Sequence, residues 1–216
     1  MASAPEARQG LLSEYSPAMP VLAFDHDHDR IGLPESGDFA GTDPCGFSAV
    51  TPITPELRGA RVLIIVALGS DPRHHYLWEI LTVEEVAPAA SGGIRVTGPG
   101  YMLNPPQRLA GAEFDEFLRE RSRLPDLCDI EQLPYSRTLL ELASRFRRPG
   151  VLDSATRTFC DEICALVPDN PDMFMFRSRV LEARGDVIGS LADLQTAAEL
   201  FEGLDEEEGE APRMST

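Results

Sequence analysis

The sequence predicts an α+β fold in which a mixed β unit gives way to a run of helices. Two rhythms carry that prediction: strand-length apolar runs, often β-branched, before residue 106, and apolar residues at helical spacing after it. A third observation, 216 residues with 43% hydrophobic side chains, supplies enough chain for a sizeable core. The divisions read as a loose arm at 1–17, a β-rich part at 18–122, a helical module at 130–203 and an acidic disordered tail at 204–216.

Met19 to Phe24 can start a strand, whereas Asp25 to Pro55 is so rich in Asp, Gly and Pro that only very short regular elements are expected there. Ala60 to Leu68 is a continuous apolar run and predicts a strand buried on both sides, ended at Gly69-Ser70-Asp71-Pro72. In Tyr76 to Val86, Trp78, Ile80 and Thr82 alternate with Glu79, Leu81 and Val83, which favours a strand over a short helix. Gly93 to Thr97 and Tyr101 to Leu103 read as two strands separated by Gly98-Pro99-Gly100, and Asn104-Pro105-Pro106 closes the β-rich stretch. Phe114, Phe117 and Leu118 then form one stripe of a helix over Glu113 to Arg121. Further helices are expected over Leu133 to Arg147, Ser154 to Leu166, Asp172 to Ala183 and Ile188 to Phe201.

All 19 basic residues are arginine, so Schiff-base and phosphate-loop lysine chemistry is excluded. A net charge of −17 argues against sequence-blind binding to nucleic acid or anionic lipid. Seven acids between Glu199 and Glu210 make a solvated block. No apolar run approaches the ~20 residues of a membrane helix, and MASAPEARQG lacks the form of a secretory signal, so a cytoplasmic protein is expected. Cys45, Cys128, Cys160 and Cys164 show no zinc or redox spacing and read as buried reduced thiols. The lysine-free, Ala-, Arg-, Gly- and Pro-rich composition fits a GC-rich bacterial coding bias.

From Pro171 to Glu202, Phe174, Arg177, Ser178 and Leu181, then Gly185-Asp186, then Asp193, Leu194, Ala197 and Leu200 fall in the order of a helical hairpin. That segment resembles a tetratricopeptide (TPR) repeat, departing from it at Ser190 and Glu202, and a weaker copy can precede it from Leu133 to Leu166. The resemblance implies antiparallel, TPR-like hairpins whose groove holds a protein partner through Phe174, Arg177 and Leu181. A pair of ordinary hairpins capping the β unit is the alternative, and either would lean on that unit for stability. In the β half, Gly59 to Ile64, Thr82 to Val86 and Leu103-Asn104-Pro105-Pro106 with Leu109 follow an element order similar to the PUA-like and EVE-type small β-barrels. That likeness implies a small mixed barrel with a cleft, for which Trp78, Tyr101 and Asn104 are the candidate lining.

The residues with most chemical potential are Asp25-His26-Asp27-His28-Asp29. In an extended chain the three carboxylates face one side and the two imidazoles the other. Joined by His74 and His75 they could hold a divalent ion, the one cofactor the residues suggest; a polar loop without metal is the alternative. Cys45 with His74 or His75 as base is a further nucleophilic reading. No nucleophile elbow, HExxH helix or dinucleotide turn is present. The leading expectation is therefore a non-enzymatic adaptor for a protein partner. A small-ligand or modified-base reader is the second reading and a metal-dependent hydrolase the third.

Overall fold

Arg61–Leu68 (β3) is buried from Val62 to Leu68, because apolar residues on both faces of a strand must be covered on both sides. It lies at the centre of the computed structural model, which describes residues 20–27, 44–49, 57–69, 72–89, 93–148 and 151–209. The other strands are Val21–Asp27 (β1), Pro44–Ala49 (β2), His74–Thr82 (β4), Glu85–Pro88 (β5), Ile94–Leu109 (β6) and Leu127–Asp129 (β7). The helices are Ala112–Arg121 (α1), Ser136–Arg145 (α2), Ser154–Leu166 (α3), Pro171–Ala183 (α4) and Val187–Gly209 (α5). Among the described residues this makes an α+β protein with one mixed sheet, ordered β2-β6-β4-β3-β1-β7, with β5 also on β6. β1 and β3 run parallel and the other pairs antiparallel.

The sheet is curled. In a flat sheet of that order, β1 and β2 would stand four strand spacings apart, about 19 Å. Instead Phe24 of β1 and Phe47 of β2 stack with ring centroids 4.3 Å apart. The face carrying both rings is therefore the concave one of a half-barrel. It holds Leu22, Val62, Ile64, Val66, Tyr76, Trp78 and Val96, and is covered by Phe159, Cys160 and Ile163 of α3 with Met173 and Val180 of α4. The convex face carries Leu63, Ile65, Leu77, Ile80 and Leu103 and packs against Phe114 and Phe117 of α1 and Leu139 and Ala143 of α2. Apolar area removed from water on both sides is the main force holding the helices to the sheet.

Several local expectations change. Gly98-Pro99-Gly100 is not a turn between two strands; β6 runs through it as one strand. The glycines let β6 cross the β4–β5 corner closely, since a Cβ on Gly98 would lie 1.9 Å from the Thr82 carbonyl oxygen and one on Gly100 2.5 Å from that of Ile80. Asn104-Pro105-Pro106 likewise lies inside β6, where the pairing with β4 jumps from Gln107 to Met102 and tolerates proline. A six-residue strand, β2, occupies the Pro- and Gly-rich stretch because the edge of β6 supplies its hydrogen bonds. One strand, β7, joins the sheet from beyond residue 122. The α5 backbone continues to Gly209, past the expected start of the acidic tail; glutamate propagates a helix well even where like charges oppose it. No helix among the described residues is long and apolar enough to cross a membrane.

Candidate ligand site on the concave face

The concave face mixes aromatic rings with buried ionisable groups. β4 creates part of this mixture through an irregularity: Leu77 pairs with Ile65 but Glu79 with Ile64, so Trp78 is an extra residue. Leu77 and Ile80 both face the convex side, which leaves Trp78 and Glu79 together on the concave one. Glu79 is 0% exposed and His26 2% exposed. His26 lies edge-on to Phe24 at 5.9 Å, and Phe24 stacks in turn on Phe47. Burying a carboxylate and an imidazole among rings is costly, and such groups concentrate where a protein binds or reacts. At the rim, Tyr76 donates its hydroxyl to Glu162 Oε1 of α3 at 2.7 Å, with Arg108 Nη1 3.7 Å from the same oxygen. Burial first, and then the bond to Glu162, push the Tyr76 phenol above its ordinary range. Together these residues place aromatic rings and ionisable side chains in one buried interior beneath α3 and α4.

Neither Cys160 nor Cys164 is an activated thiol. Burial pushes the Cys164 thiol up to about 11, and Cys160 is pushed up as well, first by burial and then by the neighbouring Cys164. Cys45 is buried on β2. Elsewhere, a surface dent of about 230 Å³ lined by Val21, Ile130, Glu131, Ser136, Arg137 and Leu140 is smaller than an ordinary ligand pocket.

Of the residues singled out for a metal ion, the side chains of His26, His74 and His75 are described. His28 and Asp29 lie outside the described residues, as do the side chains of Asp25 and Asp27. His26 and His74 fall on the concave side, by alternation with Phe24 and Tyr76, while His75 packs edge-on to Phe114 on the convex side, 5.5 Å away. The sheet separates His75 from His26 and His74, and among the described residues no group of three or more His, Cys, Asp or Glu could hold a metal ion.

Trp78, Tyr101 and Asn104 line no common cleft either. Trp78 lies inside against Phe159, and Tyr101 is opposite Ile80 on the convex side with the Arg147 guanidinium 4.9 Å over its ring. Asn104 is an internal clamp. Its amide donates to the carbonyls of Arg148, at 3.1 Å, and Val151, and its side-chain oxygen accepts from the Thr156 hydroxyl at 2.6 Å. In the supposed groove, Arg177 is committed within the helical module. It donates to both oxygens of Asp193 at 2.7 and 2.8 Å and to Asp161 at 3.3 Å, and it stacks on Phe174. Leu181 is buried.

The sequence reading missed Glu79 as a site residue. Its one signal was an acidic residue in the midst of an apolar strand, and simple alternation had set it on the face opposite Trp78.

The described residues form a half-barrel sheet with helices on both faces and ionisable groups among the rings of its concave interior. No family model matches the chain, and no solved structure matches it. Among curated proteins it is similar to the chromophore lyase CpcT/CpeT of Synechococcus sp. (strain WH8103), with 31% identity over 81 residues. The match covers 38% of this chain and 39% of the relative, so the chain spans about two-fifths of that protein's length. This likeness overturns the adaptor reading: the similar protein is named for chemistry on a chromophore, not for a helical docking groove.

Proposed function

We propose that this protein handles a chromophore in the manner of a chromophore lyase, holding it at the half-barrel and presenting it to an acceptor protein. The observation that carries the proposal is the 31% identity to the cyanobacterial lyase. Supporting it is a half-barrel interior in which the stacked Phe24 and Phe47 rings, Trp78 and the Glu79 carboxylate share one face. Among the described residues β2 pairs only with β6 and meets β1 through the stacked rings of Phe24 and Phe47.

A lyase acting in the direction of addition joins a nucleophile to a carbon–carbon double bond. The new bond to carbon forms, the π bond breaks, and the proton of the nucleophile ends on the neighbouring carbon, with no oxidant and no hydrolysis. The buried, proton-holding thiols of Cys160 and Cys164 are poor nucleophiles, so the attacking group belongs to the acceptor protein. This chain's share of the work is to fix the pigment's conformation and exclude water from it.

The test is titration of the purified chain with an open-chain tetrapyrrole, phycocyanobilin, followed by absorbance and induced circular dichroism. An apo-acceptor subunit is then added, and covalent pigment is scored by zinc fluorescence on a denaturing gel. Induced dichroism with a dissociation constant in the micromolar range, and faster attachment than without the protein, are expected. A spectrum that stays that of free pigment, with no acceleration, refutes the proposal.

A further inference from the structure

We propose that the outer face of α5 docks an amphipathic helix of another protein, one that flanks its own apolar stripe with arginine or lysine. The surface is separate from the concave face, and the inference does not depend on the chromophore reading. Helix α5 turns Ser190, Asp193 and Ala197 into its hairpin with α4, where all three are buried. Turned outward are Val187 at 57%, Ile188 at 84%, Leu191 at 61%, Leu194 at 45% and Phe201 at 40% exposure. Val187, Leu191, Leu194, Ala198 and Phe201 alternate spacings of four and three, which aligns them along one side of a helix as a helix-pairing seam requires. The exposed apolar area is on the order of 500 Å², at the upper end of what a monomer leaves bare and short of the ~800 Å² per partner of a stable complex. A weak, reversible contact follows.

Charge selects the occupant. Val187–Gly209 contains no basic residue, and Gln195, Glu199 and Glu202 run along the outer edge of the stripe at helical spacing. Beyond Phe201 the sequence adds Asp205 to Glu208. A second copy of a chain with net charge −17 would set acid against acid along this seam. A helix with basic flanks instead gains attraction at the edge and apolar contact at the centre.

The experiment uses the full chain and two fluorescent helical peptides of about 21 residues, both with leucine along the seam. One has arginine at the flanking positions and the other glutamate. The arginine peptide is expected to bind by anisotropy, and to bind about tenfold more weakly to Leu191→Asp and to Ile188→Ser. Its affinity is also expected to fall as salt rises from ~25 to ~250 mM, while the glutamate peptide fails to bind. Both substitutions are at exposed positions, so unchanged thermal melts certify the fold. The proposal is overturned if the arginine peptide does not bind, if both peptides bind alike, or if both variants bind as wild type. It is equally overturned if sedimentation finds a dimer that Leu191→Asp dissolves, which would assign the stripe to a second copy.

Discussion

Replacing Asn104 with alanine separates a structural role from a ligand-binding one. Asn104 is 1% exposed, and its side chain makes three hydrogen bonds: to the carbonyls of Arg148 and Val151 and from the Thr156 hydroxyl. These tie the middle of β6 to the segment that leads into α3, where Asp153 caps the helix. Each buried bond contributes about 1 kcal/mol, and an orphaned buried partner costs more. The Thr156 hydroxyl retains the Val151 carbonyl and an Asp153 oxygen, both at 3.3 Å, so part of the loss is recovered. The net cost of Asn104→Ala is then about 2–3 kcal/mol. For a chain of this length that corresponds to a melting temperature lower by roughly 5–10 °C. Thr156→Val, which removes one of the three bonds, should cost about 1 kcal/mol, and the double variant should cost less than the sum. Thermal and urea melts followed by circular dichroism measure all four proteins. A melting temperature within about 1 °C of wild type for Asn104→Ala would refute the clamp and return this residue to the surface chemistry the sequence had suggested.

Three other outcomes are expected. Glu79→Gln keeps the shape of the side chain but removes the carboxylate, so phycocyanobilin affinity should fall about tenfold in absorbance titrations; unchanged affinity would detach Glu79 from the site. Gly98→Ala forces a methyl group into the Thr82 carbonyl, and should cost several kcal/mol in urea melts or abolish soluble expression, whereas the same change at Gly203, which has open space around it, should be mild. Asp153 is held down to about 2, first by the Arg148 guanidinium and then by the Thr156 amide it caps. A depressed carboxylate stabilises the fold above its unfolded value near 4 and ceases to do so as pH falls through 2. The melting-temperature gap between wild type and Asp153→Ala should therefore be constant above about pH 5 and close toward pH 2.

The parts of the fold legible in the sequence are those decided by local pattern. β3 announces itself because a strand covered on both faces must be apolar throughout, and α1 because Phe114 and Phe117 repeat at helical spacing. β2 and β7 are not legible, since PCGFSA and LCD become strands only when β6 and β1 offer them edges that lie far away in sequence. Gly98 and Gly100 were misread for a related reason: a glycine that opens a turn and one that lets two backbones touch look alike until the second backbone is in place. The site was harder still. Period-two alternation places Trp78 with Ile80, and one inserted residue at the β4 irregularity shifts that phase, so Trp78 joins Glu79 and leaves Ile80 behind. The acid–histidine run at Asp25 to Asp29 falls in a stretch read as irregular, yet β1 continues to Asp27 and sets His26 beside Phe24.

The two faces of the curled sheet set their buried polar groups on different kinds of element. On the convex side Ser136 donates to the carbonyls of Ile130 and Leu133, and Arg121 donates to that of Asp126. Those acceptors are loop carbonyls within six residues of the donor, so the polar atoms serve to pin turns to helix ends. On the concave side His26 and Glu79 sit within strands whose backbone groups are engaged in the sheet ladder. Side chains set on strands are held more precisely than those on loops, so Glu79→Gln changes the concave interior while the sheet ladder holds its backbone in place.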